Sequence, residues 1–208
     1  LLKKKIKIIE ILESESNKKN KEEKLNRVDL LVKLENGELV IIEIQNEEEY
    51  DYLHRILYGV SKTISENLKA GQAYKKTKKV ISISIVYFDL GHGKDYVYHG
   101  TTNFIGIHNK DKLELTTEQK KLFKKEEVKD VFPEYYILRV SKFDELTKDG
   151  LDEWIYFLKN DEIMENFKAK GLKEAKKKLD VLKMNREERA NYDSYLKDLS
   201  LKASLADT

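Results

Sequence analysis

Two carboxylates and one amide in this chain stand among residues that belong in a buried sheet. Asp29 precedes Leu30-Leu31-Val32, Glu43 lies between Ile41-Ile42 and Ile44, and Gln45 follows two residues later. Branched aliphatic neighbours mark buried strand positions, where a lone carboxylate is costly unless something balances its charge. A divalent cation is the obvious balance. Oxygen donors with little else nearby suit magnesium, which keeps several waters and takes one or two carboxylates plus a substrate phosphate; manganese and calcium are the alternates. Such an ion lowers the pKa of a bound water and neutralises charge building on a scissile phosphate.

The elements that must bring Asp29 and Glu43 together are two strands joined at Glu35-Asn36-Gly37. A two-residue loop would set Asp29 opposite Ile44 and Glu43 opposite Leu30, mixing polar and apolar side chains on both faces. A three-residue loop, with Gly37 left-handed in a bulge, sets Val28 opposite Ile44, Leu30 opposite Ile42 and Val32 opposite Val40 on one face. The other face then carries Asp29 opposite Glu43 and Leu31 opposite Ile41. A one-residue slip exchanges faces, so this sorting selects the second register. It sets the carboxylates side by side with Gln45 pointing the same way. Two close carboxylates repel unless a cation lies between them.

The 208 residues, 40% of them hydrophobic, support one core of ordinary size with an appended helical region. Basic and acidic residues nearly balance, 40 against 38, so any attraction to nucleic acid must come from local clustering. The absence of cysteine excludes disulfides and thiolate metal sites and fits a reducing interior. No apolar run approaches the roughly 20 residues that span a bilayer, and no signal-peptide pattern is visible, although Leu1 is not an initiator methionine.

Along the chain, Lys5 to Leu12 alternates imperfectly and fits a strand or a short helix, the strand being preferred, and Ser14 to Glu23 reads as an exposed polar connection. Glu47 to Ala70 reads as a helix closed by Gly71, its apolar stripe being Leu53, Ile56, Leu57, Val60, Ile64 and Leu68. Lys79 to Phe88 is a buried strand, so strand, helix and strand form a parallel crossover. Strands follow in Tyr96 to Ile107 and Glu134 to Val140. From Gly150 the pattern is helical, with Trp154, Ile155, Phe157 and Leu158 on one face and polar helices over Phe167 to Leu201. The lysine run Lys173 to Lys178 is interrupted by Glu174 and reads as a solvated helix face.

Asp29, Glu43 and Gln45 together resemble the PD-(D/E)XK nuclease core in its variant with glutamine in the last position. Arg55, Tyr58 and Ser61, then Gly71 and Tyr74, then Val80-Ile81-Ser82-Ile83 are similar to the family's transposases, including recombination-promoting nucleases of the Rpn type. Ile137 to Phe143, Trp154 with Phe157-Leu158, and Arg186-Glu187-Glu188-Arg189 before Tyr192 extend the likeness from about Lys24 to Lys202. The resemblance implies an α/β, restriction-endonuclease-like core: a central mixed β-sheet flanked by helices, over residues 1–147, with a C-terminal helical region over 148–208. It also implies a bacterial, cytoplasmic, magnesium-dependent DNA endonuclease tied to transposition, recombination or mobile elements. A homodimer is one form it could take.

In that scheme Asp29 and Glu43 hold the ion with the backbone carbonyl of Ile44, and Gln45 positions water through its amide where the commoner lysine would act by charge. Arg55 and Lys62, opposite the apolar stripe, read as solvent-exposed and are the candidate phosphate contacts. Glu10 reads as an exposed strand residue, Tyr58 and Tyr74 as packing residues, Tyr96 and Tyr98 as sheet packing, and His92 as a turn residue. His54, His92, His99 and His108 form no i, i+4 metal pair. Two competing functions are a DNA-binding or assembly module that keeps this fold without efficient chemistry, and a helical self-association protein.

Overall fold

The computed structural model describes residues 8–12 and 30–183. Six strands in it form one sheet: Ile8–Leu12 (β1), Leu30–Leu34 (β2), Leu39–Gln45 (β3), Val80–Val86 (β4), Val97–Gly100 (β5) and Glu134–Arg139 (β6). Their spatial order is β1-β2-β3-β4-β6-β5, with β3, β4 and β6 parallel and the other pairings antiparallel.

The hairpin has the three-residue loop. Leu34 N–H donates to Glu38 O and Gly37 N–H to Leu34 O, each at 2.9 Å. Gly37 takes φ +82°, the left-handed conformation that glycine adopts without strain. Leu30 therefore pairs with Ile42, Leu31 with Ile41 and Val32 with Val40. Asp29, the next residue outward, lies outside the described residues, as do the Ser14 to Glu23 connection and everything from residue 184 onward.

Strand β3 passes through the helix Tyr52–Glu66 (α1) to β4, and the two strands pair in parallel from Leu39 opposite Val80 to Gln45 opposite Val86. Leu39, Ile41 and Val80 pack with Val60 of α1, while Val86 and Phe88 pack with Tyr52 and Ile56. Period-two alternation thus assigns Leu39, Ile41, Glu43 and Gln45 to the face that α1 covers. Val40, Ile81, Ile85 and Leu138 are buried on the other face. A sheet buried on both faces explains why β4 reads as a nearly continuous aliphatic run.

Helix α1 is shorter than its sequence pattern suggests and turned by about one residue. It ends at Asn67, whose side-chain amide donates to Thr63 O at 3.0 Å, before Gly71 is reached. Its buried face is Tyr52, Ile56, Gly59, Val60 and Thr63, while Leu53 and Leu57 are exposed. The rotation brings Arg55 and Lys62 to partly buried positions, so the expectation of plain solvent exposure fails for both. Tyr58 and Tyr74 are exposed and do not serve as packing residues.

Only Val97–Gly100 of the Tyr96 to Ile107 segment joins the sheet, and the remainder is irregular apart from a bridge between Ile105 and Lys112. Tyr96 packs edge-on against Phe143, in keeping with a packing role. The helix Thr117–Phe123 (α2) opens with a reciprocal cap between Thr116 and Gln119.

The chain divides into two compact units, Leu1–Asp144 and Glu145–Thr208. The described part of the second holds the helices Gly150–Asn160 (α3) and Leu172–Lys183 (α4). Asp149 caps α3 by accepting from Leu151 N–H at 2.8 Å and Asp152 N–H at 3.1 Å. Ile155, Tyr156, Phe157, Phe167 and Leu172 are buried, with Tyr156 edge-on to Phe167. Lys173, Glu174, Lys177 and Lys178 lie exposed on α4, the solvated face their alternation suggests.

Candidate metal centre

Glu43 is the first polar residue along the α1-facing side of β3 after Leu39 and Ile41, and only 5% of it is exposed. Its parallel-strand neighbour is Ser84, which is 1% exposed and whose Oγ has no hydrogen-bond partner. A carboxylate and an unsatisfied hydroxyl thus share one face at the carboxyl end of the parallel strands. Buried polar groups are normally satisfied, so the Ser84 hydroxyl stands out as an exception at this end of the sheet.

Gln45 follows on the same face. Its Nε2 donates to Glu47 O at 3.1 Å, and its Oε1 lies 3.5 Å from Arg55 Nη1. Arg55 reaches this point from the first turn of α1, because that helix is turned to bring it inward. The same Nη1 donates to Glu49 Oε2 at 2.8 Å. The guanidinium carbon sits 5.9 Å from the Tyr52 ring centre, and Nε is buried with no hydrogen-bond partner. Burial works to lower the pKa of Arg55, but the bond to Glu49 and the negative charge of Glu43 outweigh it and raise the group above its ordinary value.

Ile44 supplies the backbone carbonyl between Glu43 and Gln45, while its side chain is 46% exposed. Lys62 stands farther along α1, 3.9 Å from Glu66, so the structure brings Arg55 to Gln45 but gives Lys62 no contact with it. The side chain of Glu10 is outside the description. The donors present, a carboxylate, a carbonyl and a hydroxyl, are hard oxygens that fit magnesium, manganese or calcium. Among the described residues no cluster of three or more histidine, cysteine, aspartate or glutamate side chains could hold a metal.

Next to this edge, Arg139 of β6 pairs in register with Val86 and is 2% exposed. It donates to Gly93 O at 3.1 Å and Gly91 O at 3.3 Å, pinning the turn that follows β4. Gly93 takes φ +148°, and a Cβ there would collide with the Tyr98 hydroxyl. Asp89 is held below the usual carboxylate range, first by the hydrogen bond from Lys142. His92 lies exposed on this pinned turn.

Sequence reasoning missed Glu49, Ser84 and Arg139. Ser84 carried a signal: Ser82 and Ser84 interrupt an otherwise aliphatic strand at alternate positions. Glu49 carried none, since its partner stands six residues away across a turn into the helix.

No helix among the described residues is long and apolar enough to cross a membrane. No curated protein and no solved structure matches this chain. A family model does, that of the PD-(D/E)XK nuclease family transposase, over residues 1–207. The mixed sheet flanked by helices is the restriction-endonuclease-like α/β fold, and with the match along nearly all of its length the chain belongs to the PD-(D/E)XK nuclease family transposases.

Proposed function

We propose that this protein is a divalent-cation-dependent DNA endonuclease that hydrolyses phosphodiester bonds, with magnesium as the working ion and a role in transposition or recombination. The observation that carries the reading is the buried Glu43 beside the unsatisfied Ser84 hydroxyl, at the carboxyl end of β3. The hairpin register supports it, since Leu30 opposite Ile42 is the pairing on which the sequence sets Asp29 against Glu43.

Asp29, Glu43 and the Ile44 carbonyl would hold the cation. When bound, it activates a water and screens charge on the phosphate. Gln45 orients the attacking water through its amide, whose Nε2 has a second hydrogen beyond the one given to Glu47. Arg55, already beside Gln45, donates to a non-bridging phosphate oxygen, and Lys62 contributes positive charge farther along the same helix. Both strands of a duplex would be cut by two copies acting together as a homodimer.

The test is plasmid nicking with magnesium by the parent protein, Asp29→Ala and Glu43→Ala. Loss of at least about a hundredfold in both variants is expected. Equal activity in all three would reject the assignment. Salt-dependent DNA binding with no cleavage by any of them would instead support a binding or assembly module.

A further inference from the structure

The contacts around Arg55 say more than that it is near the site. A guanidinium used purely as a structural clamp engages its fork, with two parallel bonds to one carboxylate. Arg55 does not. A single nitrogen, Nη1, is shared between Glu49 at 2.8 Å and Gln45 at 3.5 Å, and Nε is buried without a partner. The Arg55 and Glu49 side chains are only 29% and 30% exposed, so solvent screens them incompletely. A full positive charge therefore stands beside the residues that would take a divalent cation; Glu43 acts on it through charge, while Glu49 is the carboxylate that hydrogen-bonds it directly.

Building on the metal-centre reading above, we infer that Glu49 and Arg55 form a charge pair that sets the cation affinity of the site, with Glu49 the positioning residue that neutralises Arg55. Intact, the pair is electrically neutral toward an incoming ion. Without Glu49 the guanidinium repels the ion, and without Arg55 the freed Glu49 carboxylate attracts it. One unit charge several ångströms from a divalent ion in a partly solvated site is worth about a factor of ten.

Manganese alone serves as the probe, its binding to the full chain followed by electron paramagnetic resonance with no DNA present. Relative to the parent, Arg55→Gln should bind manganese about tenfold tighter and Glu49→Gln about tenfold weaker. The double variant should return to within about twofold of the parent, because both charges have gone together. Arg55→Lys, which keeps the charge but not the shape, should stay near the parent.

The inference is overturned if both single variants weaken binding, if neither changes it, or if Arg55→Lys tightens it as much as Arg55→Gln. A double variant as weak as Glu49→Gln would make Glu49 a ligand, and would overturn it too. If the parent binds no manganese, or binds it equally well as Glu43→Gln, the metal centre itself fails. Manganese binding that depends on Glu43 yet ignores residues 49 and 55 sinks only the charge pair.

Discussion

The two ends of the parallel strands in this sheet use buried charge in opposite ways. At the amino ends, the carboxylates are tied into close ion pairs. Glu38 meets Lys125 at 2.9 Å. Glu134 meets Lys79 at 2.6 Å and His99 at 2.8 Å, and accepts from the Tyr136 hydroxyl at 2.6 Å. At the carboxyl ends, the Oγ of Ser84 and the Nε atoms of Arg55 and Arg139 are buried with no hydrogen-bond partner, and Glu43 is buried in register with Ser84. A closed network spends its polar capacity on holding the fold. A site keeps some in reserve for what it binds. The same sheet does both: Lys79 and Lys125 close the amino-end network, while the ion pairs at the carboxyl end, Arg55 with Glu49 and Lys142 with Asp89, leave the Ser84 hydroxyl without a partner.

Exchanging carboxylate for amide at each end should separate the two roles. Glu43→Gln should lower nicking activity at least about a hundredfold while costing less stability than Glu134→Gln does. Comparable losses of activity and stability would erase the distinction. Glu134→Gln should do the reverse. It leaves Lys79, with 6% of its side chain exposed, dependent on Asp130 at 3.9 Å. Denaturant unfolding should show a loss of up to about 2 kcal/mol, with activity per folded molecule retained.

Acid should attack the amino-end network in a definable window. Burial acts to raise the pKa of Glu134, but hydrogen bonds from Lys79, Tyr136 and His99 overcome it and bring the group from 4.5 to about 2. Because the folded value is the depressed one, the stabilisation is complete above about 4.5 and drains away as the pH falls toward 2. It amounts to no more than about 2 kcal/mol once solvent screening is allowed for. Unfolding midpoints of the parent and Glu134→Gln should therefore converge between those values. Parallel curves across that interval would show that the carboxylate of Glu134 does not hold this edge.

The fold was largely legible where a side-chain pattern has a single physical solution. The hairpin register follows from face sorting and from a glycine where φ must be positive, and both features are present. The crossover from β3 through α1 to β4 follows from element order. The phase of α1 was less legible because Tyr52, Gly59 and Thr63 share its buried face without being aliphatic, whereas exposed Leu53 and Leu57 counterfeit a stripe. The insertion of β6 between β4 and β5 depends on long-range pairing with no local signature. Helix α2 went unread in the sequence, although Thr116 and Gln119 have capping-box spacing. Of the candidate site, Glu43 and Gln45 announce themselves by interrupting aliphatics. Arg55 reads correctly only once the helix is turned, and Glu49 acquires meaning only through the contact it makes.

The smallest effect belongs to a carboxylate that looks, by its contacts alone, as well held as Glu134. Glu127 accepts from Lys112 at 2.8 Å and lies 2.7 Å from Lys129, and hydrogen bonds from those two lysines, Lys112 first, bring its carboxyl to about 2. Yet 43% of its side chain is exposed, against 16% for Glu134. Charges in that position are screened by mobile ions, and the ordering of two lysines opposes the attraction. Glu127→Gln should shift the melting midpoint slightly in dilute buffer and leave it indistinguishable from the parent at about 1 M salt, where the screening length is about 3 Å. The deficit of Glu134→Gln should survive the same salt. If Glu127→Gln kept its full deficit in salt, proximity to lysine rather than burial would decide which ion pairs hold the amino-end edge together, and the contrast between the two ends of the sheet would need another cause.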